Sequence, residues 1–164
     1  DNISELKSVG RQYVLAEASL SYEAVLTHLH SLCEDVAFKL RNQAVRARGV
    51  RVYAKTHHKG MWQSRKLVSR AIHDEESIYE TAKALFKEAP LPCYEIGITC
   101  YNLTSESDFQ MSLFLEEDLK KEALVSAIDT INNDWGARTI HSADTLQVDQ
   151  KMKQKIPFGS VRYL

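Results

Sequence analysis

The sequence predicts an α+β fold: a four-stranded sheet with two helices on one face, in the order β-α-β-β-α-β, and a small helical C-terminal extension. Two stretches repeat apolar residues at three- and four-residue spacing, and the short runs around them alternate apolar with polar residues. A chain of 164 residues, 44% hydrophobic and 26% charged, has enough apolar material for one sizeable core and a small appendage.

The first strand is expected over Lys7 to Leu15, a short β-tolerant run containing Gly10. Val25, Leu29, Leu32, Val36 and Leu40, seconded by Leu26, Cys33 and Ala37, then mark a helix from about Tyr22 to Gln43 with Ser21 as its cap. Arg48 to Thr56 alternates, with Val50, Val52 and Ala54 on one face and Arg51, Tyr53 and Lys55 on the other. His58-Lys59-Gly60 signals a turn into a third strand, Trp62 to Arg70. Ile78, Ala82, Leu85, Phe86 and Ala89 give the second helix, which follows the acidic cap region Asp74 to Ser77 and is stopped by Pro90. In the fourth strand Ile96, Ile98 and Cys100 alternate with Gly97, Thr99 and Tyr101.

Both crossovers place their helices on the same side of the sheet, so the other face stays open. Nine Lys/Arg and no Asp or Glu lie between Arg41 and Arg70, while the remaining residues hold 12 basic and all 22 acidic side chains. Strand two sends Arg51, Tyr53 and Lys55 to the open face if its aliphatic residues pack under the helices, and such a surface suits a polyanion. Arg65 and Lys66 are adjacent and must point to opposite faces; the pattern leaves open which of them joins this surface.

Other classes are disfavoured. No run approaches the roughly 18 apolar residues of a membrane span. Cys33, Cys93 and Cys100 are an odd number without metal-type spacing, which points to a reducing cytoplasmic setting and buried thiols. His28, His30 and Cys33 share the first helix, but Cys33 belongs to its apolar stripe, so no metal site is expected. The chain has no phosphate-loop motif and no nucleophile turn, and no catalytic residue is assigned. It starts with Asp rather than Met and without a signal-type segment, and so reads as part of something longer or as a processed form.

At its strands the chain resembles the little-finger domain of Y-family translesion DNA polymerases, the group that includes bacterial polymerases IV and V. Lys7-Ser8-Val9-Gly10-Arg11 is similar to the K-S-[IV]-G-[RH] opening of that domain, and Arg48-Gly49-Val50-Arg51-Val52 to its second strand. Ser64-Arg65, Ser77-Ile78-Tyr79 and Ile96 through Leu103 follow in the family's order, so the resemblance covers residues 5–103. It implies a module whose open sheet face lies in the major groove and grips the backbones of duplex primer–template DNA. Contacts of this kind use backbone amides and Lys/Arg on phosphates and do not read sequence. The expected DNA-binding residues are Lys7, Ser8, Gly10, Arg11, Arg51, Lys55, Arg65 and Arg70, with Arg46, Arg48, Lys59 and Lys66 as second choices. Gly10 lets a phosphate approach strand one closely, unless it marks only a bulge or twist. The family's metal-binding carboxylates and the Mg2+ they hold belong to a palm domain, which no segment here resembles. The fragment is therefore expected to need no cofactor and to catalyse nothing, while the parent protein is a nucleotidyltransferase acting in the cytoplasm at the nucleoid.

The expected organisation is a DNA-binding domain over 1–103, a linker over 104–118 and an extension over 119–164. The linker contains Gln110-Met111-Ser112-Leu113-Phe114, which resembles the peptide by which bacterial polymerases hold the sliding clamp. Leu113 and Phe114 would fill an apolar pocket with Gln110 at its rim; the alternative is that Phe109, Met111 and Phe114 tuck against the domain itself. Beyond it, Ala123, Leu124, Ala127, Ile128, Ile131 and Trp135 predict a third amphipathic helix ended by Gly136 in the position of a Schellman-type stop. Asp129 and Asp134 are read there as surface acids. The stretch from Ala127 to Ala143 resembles the tail of polymerase V-type proteins, but Asp149 to Lys153 and Ile156 to Ser160 depart from that pattern. An RNA-binding module of ferredoxin-like topology and a small-molecule regulatory domain share the strand order. The first wants several stacking aromatics where strand two offers only Tyr53, and the second has no need of so basic a strand pair.

Overall fold

The computed structural model describes residues 7–16, 21–105 and 116–148. Its elements run β1 (Ser8–Val14), α1 (Tyr22–Asn42), β2 (Val45–Thr56), β3 (Gly60–Ile72), α2 (Glu75–Phe86), β4 (Glu95–Ser105) and α3 (Glu116–Trp135), with a 3-10 turn at Ala143–Thr145. The expected order is therefore present. Ser21 caps α1 by accepting the Ala24 amide at 3.3 Å, and Asp74 caps α2 by accepting that of Ser77 at 2.9 Å.

The four strands form one antiparallel sheet in the order β1-β4-β2-β3. Each β-α-β half thus leaves a gap one strand wide that a strand of the other half fills, which ties the two halves into one unit. Val25, Leu29, Leu32, Val36 and Leu40 of α1, with Ile78, Ala82 and Phe86 of α2, are fully covered against Val50, Val52, Ala54, Ile96, Ile98 and Cys100. Full burial of each large side chain is worth about 1.5–3 kcal/mol, so this layer holds the fold together. Among the described residues the sheet's other face carries no helix.

β2 starts three residues before the alternating run because Val45, Arg46 and Ala47 pair with Ser105, Thr104 and Leu103 of β4. On its other side the ladder to β3 jumps from Ala47↔Ile72 to Gly49↔Leu67, so β3 bulges outward through Val68 to Ala71. Arg48 donates from Nη2 to the Ser69 carbonyl at 3.3 Å in that bulge.

The third helix is docked through its polar side. Asp129 receives a bidentate pair from Arg41 of α1, one arm at 2.8 Å, and Arg41 also donates to the His73 carbonyl at 2.9 Å. Glu122 accepts from Arg46 at 3.0 Å, and the Lys121 ammonium lies 3.0 Å from Asp74. Beyond the helix, Arg138 holds Glu34 of α1 at 2.7 Å. Asp129 is therefore a docking residue rather than a surface acid. Leu124, Ile131 and Trp135 of the expected apolar stripe consequently face outward, as does Leu119, whereas Ile128 of the same stripe lines the crevice against α1. Gly136, at φ +113°, ends the helix with a single bond from its amide to the Asn132 carbonyl, the simpler left-handed stop rather than the Schellman form.

Candidate nucleic-acid interface

Strand register turns the open face into rows that cross all four strands. Ser8, Tyr101, Gly49 and Leu67 form one row, and Gly10, Thr99, Arg51 and Arg65 the next. Gln12, Gly97, Tyr53 and Gln63 follow, then Val14, Glu95, Lys55 and Met61. Arg65 therefore shares the open face with Arg51. Lys66 lies opposite Val50 and belongs to the helix side, although as part of an edge strand it is exposed.

Lys7, Ser8, Arg51, Arg65, Thr99 and Tyr101 surround a surface depression of about 290 Å³. Three cationic groups and three hydroxyls converge there, the donor set that a phosphate oxygen needs. Arg51 reaches Thr99 Oγ1 at 3.5 Å, which steadies its guanidinium over the centre of the sheet. Gly10 is exposed beside it; a Cβ at this position would stand 3.0 Å from both the Ile98 carbonyl and Thr99 Oγ1. By contrast the crevice between α1 and the extension is lined by Glu34, Asp35 and Glu75 beside Arg41 and Arg138, a charge mixture unsuited to a phosphate.

Two tyrosines pave the same face. Tyr101 lies over Gly49 and Tyr53 over Gly97, each directly across the ladder from its glycine. A Cβ on Gly49 would come within 2.4 Å of the Tyr101 ring, and one on Gly97 within 2.1 Å of the Tyr53 ring. Only glycine permits so close an approach of ring to backbone, and the rings in turn cover the exposed ladder. Tyr53 Oη stands 2.8 Å from both Gln12 Oε1 and Glu95 Oε1. A phenol has one proton, and the charged carboxylate of Glu95 is the stronger of the two acceptors for it. Burial and then this bond to Glu95 push the Tyr53 hydroxyl well above its ordinary pKa, so it stays protonated.

The remaining candidates are distributed differently. Arg11 shares the parity of Val9 and Tyr13 and turns to the helix side, where its Nε lies 3.8 Å from Asp35 of α1. Arg46 is buried and turned to Glu122 of α3. Neither joins the open face, because each meets a carboxylate from the helical layer. Arg48 and Arg70 are exposed at the β3 bulge, and Lys59 is exposed in the β2–β3 turn. Lys55 is on the open face but salt-bridged to Glu95 at 2.9 Å. Among the described residues, the strand rows of the acid-free segment thus supply three cationic side chains to the open face, Arg51, Lys55 and Arg65, and Lys7 of the first strand region joins them. Thr99, Tyr101 and Glu95 were not singled out from the sequence. Thr99 and Tyr101 carried a usable signal, their alternation with the buried Ile98 and Cys100. The Gln110 to Phe114 peptide and the segment from Asp149 onward lie outside the described residues.

Among the described residues no group of three or more metal-ligating side chains converges, and no helix is long and apolar enough to cross a membrane. Cys33, Cys93 and Cys100 are buried free thiols, and burial raises the pKa of each, so they act as apolar filling.

A family model described as the impB/mucB/samB family C-terminal domain matches residues 6–113. DNA polymerase IV of Bacillus anthracis is 26% identical over 157 residues, which cover 92% of this chain and 38% of that protein. DNA polymerase IV of Clostridium acetobutylicum is 24% identical over 150 residues, 90% of this chain and again 38% of the relative. The chain thus spans less than half the length of these curated relatives. Among solved structures, a Y-family DNA polymerase chimera aligns with 61% of this chain, and 29% of its own, at a TM-score of 0.52 and 17% identity. DinB from Sulfolobus solfataricus aligns with 60% of this chain, and 29% of its own, at a TM-score of 0.50 and 16% identity. These two likenesses concern the fold. Matched through about two thirds of its length, the chain belongs to the impB/mucB/samB family and carries its C-terminal domain, the little finger of a Y-family DNA polymerase.

Proposed function

We propose that this chain is the part of a Y-family translesion polymerase that grips template–primer duplex through phosphates, without reading bases. The observation that carries the reading is the uncovered row Gly10, Thr99, Arg51 and Arg65, flanked by Lys7, Ser8 and Tyr101. A lesion-tolerant enzyme has to hold duplex whatever its bases, and contacts confined to phosphates meet that need. The polymerase IV relatives support the same reading.

In this reading Lys7, Arg51 and Arg65 neutralise phosphates, Ser8 and Thr99 donate hydroxyls, and the bare backbone at Gly10 admits a phosphate close to β1. Lys59, Lys66 and Arg70 near the β3 edge, and Arg48 beside the β3 bulge, add long-range attraction. Gln110 to Phe114, in the segment between β4 and α3, tethers the enzyme to the bacterial sliding clamp. Polymerisation and Mg2+ binding belong to a palm domain of the parent protein, so the fragment itself catalyses nothing. It acts in the cytoplasm at the nucleoid.

One observation favours a second reading. Tyr101 joins Tyr53 on the open face, so two rings lie on the central strands where a single-stranded RNA could stack bases. Fluorescence anisotropy on labelled duplex DNA and on single-stranded RNA of matched length separates the two. Preference for duplex, indifferent to its sequence and weakened by salt, supports the polymerase reading. Tighter binding of the RNA, lost on replacing Tyr53 and Tyr101, overturns it.

A further inference from the structure

The open face is not uniformly cationic, and the exception is built in. Glu95, the first residue of β4, lies on this face and is only 8% exposed. A carboxylate so covered needs compensation. It receives two partners: the Lys55 ammonium at 2.9 Å and the Tyr53 hydroxyl at 2.8 Å. Both sit on β2, and Lys55 is directly opposite Glu95 in the ladder. The Tyr53 ring is pinned over Gly97, so the hydroxyl is delivered to Glu95 by a side chain with little freedom to leave. The ammonium gains from the pairing too, its pKa raised by the hydrogen bond to Glu95.

We propose that Glu95 holds Lys55 away from nucleic-acid phosphates and so confines phosphate contact to the Lys7, Arg51 and Arg65 end of the sheet. This rests on the reading of the open face as the DNA surface. For Lys55 to swing onto a phosphate, Glu95 would lose its counter-charge while still covered, and a bare carboxylate would face a polyanion. The next row outward, Gln12, Gly97, Tyr53 and Gln63, contains no charged group, so the face has a cationic end and a neutral end. Arg51 and Lys55 are four residues apart on β2, roughly 13 Å at the usual strand rise. That distance is large enough for the two ends to meet different phosphates. Glu95 is thus a positioning residue that lowers affinity for duplex.

The test is the salt dependence of binding of the full chain to a labelled mixed-sequence DNA duplex. Glu95→Gln keeps an acceptor for Tyr53 and removes the charge; Glu95→Ala is the second variant, and whichever keeps the parent melting temperature is used. Release of Lys55 should tighten binding about threefold to tenfold and steepen the log–log salt slope by about 0.9, one additional phosphate contact. The double variant K55M/E95Q, in which both charges are gone, should return to the parent slope. An unchanged slope in the Glu95 variant overturns the proposal, and so does a double variant whose slope is shallower than the parent's by about one contact. The latter would mean that Lys55 reaches phosphate in spite of Glu95. A parallel R51A/R65A variant guards the underlying reading. If it binds duplex with unchanged affinity and slope, the sheet is not the DNA surface and both readings fall. If it weakens binding while the Glu95 variant changes nothing, only the role of Glu95 fails.

Discussion

The ring of Tyr53 occupies the space in which Gly97 would carry a side chain: a Cβ built on Gly97 lies 2.1 Å from Tyr53 Cε1. Gly97→Ala therefore has to expel the ring or distort β4, and it should destabilise the chain by about 1–3 kcal/mol, the usual cost of overpacking. Tyr53→Ala removes the ring, so the double variant should recover the clash part of the loss. A thermal double-mutant cycle reads this coupling, and strict additivity of the two changes would refute the contact.

Arg51→Ala and Arg65→Ala address the proposed phosphate row. Each should weaken duplexes of every sequence alike and flatten the log–log salt slope by about 0.9. Arg11→Ala and Arg46→Ala should leave the slope unchanged, since both guanidinium groups are turned to carboxylates of the helical layer. Salt titrations of the four variants check the division. A slope change for Arg46 equal to that for Arg51 would contradict it.

Asp74 gives a pH dependence whose sign follows from its surroundings. Burial pushes its pKa up, but the Ser77 amide and the Lys121 ammonium outweigh burial and hold the carboxyl below its ordinary range. A group whose folded pKa is depressed stabilises the fold above its unfolded pKa of about 4, and the benefit is lost as pH falls through the folded value. Asp74→Ala should therefore cost about 1 kcal/mol at neutral pH, as loss of a helix cap does. The gap between parent and variant should close in acid. Denaturation at pH 7 and at pH 3 measures both.

For the proposed clamp peptide, truncating Leu113 and Phe114 to Ala should abolish clamp binding and leave duplex affinity intact. Burial of each side chain in a pocket is worth about 1.5–3 kcal/mol. If instead they were core residues of the domain, the melting temperature would drop with a loss of about 2–5 kcal/mol per site. Clamp affinity and melting temperature measured on one variant decide between these outcomes.

Much of the fold was legible because burial leaves a periodic trace. The stripes of α1 and α2 were recognisable from the spacing of residues such as Leu29 and Ile78, and both are fully buried as that spacing requires. The face of Arg11 was legible too, since it shares parity with Val9 of the core and Tyr13 packed against it. The fate of Arg46 was not legible. Its partner Glu122 is 76 residues away, and no local pattern reports a contact made by packing of distant elements. For the same reason the place of Glu95 was not legible: an acid looks ordinary in sequence until the ladder sets it against Lys55. The helix α3 was legible but its orientation was not, because an apolar stripe normally turns inward. Here Arg41 and Arg46 offer charged partners, so the polar side is the one that docks.

That ionic docking gives the extension an unusual thermodynamic signature. The heat capacity of unfolding, and the denaturant slope with it, follow the apolar surface newly wetted. Leu119, Leu124 and Trp135 of α3 are already in water. Detachment of this helix would hydrate guanidinium and carboxylate groups and, beyond the half-buried Val125 and Ile128, little hydrocarbon, so a calorimetric scan would register chiefly the melting of the sheet. The departure of α3 would therefore leave only a small heat signature, and a probe on the helix itself would record it best.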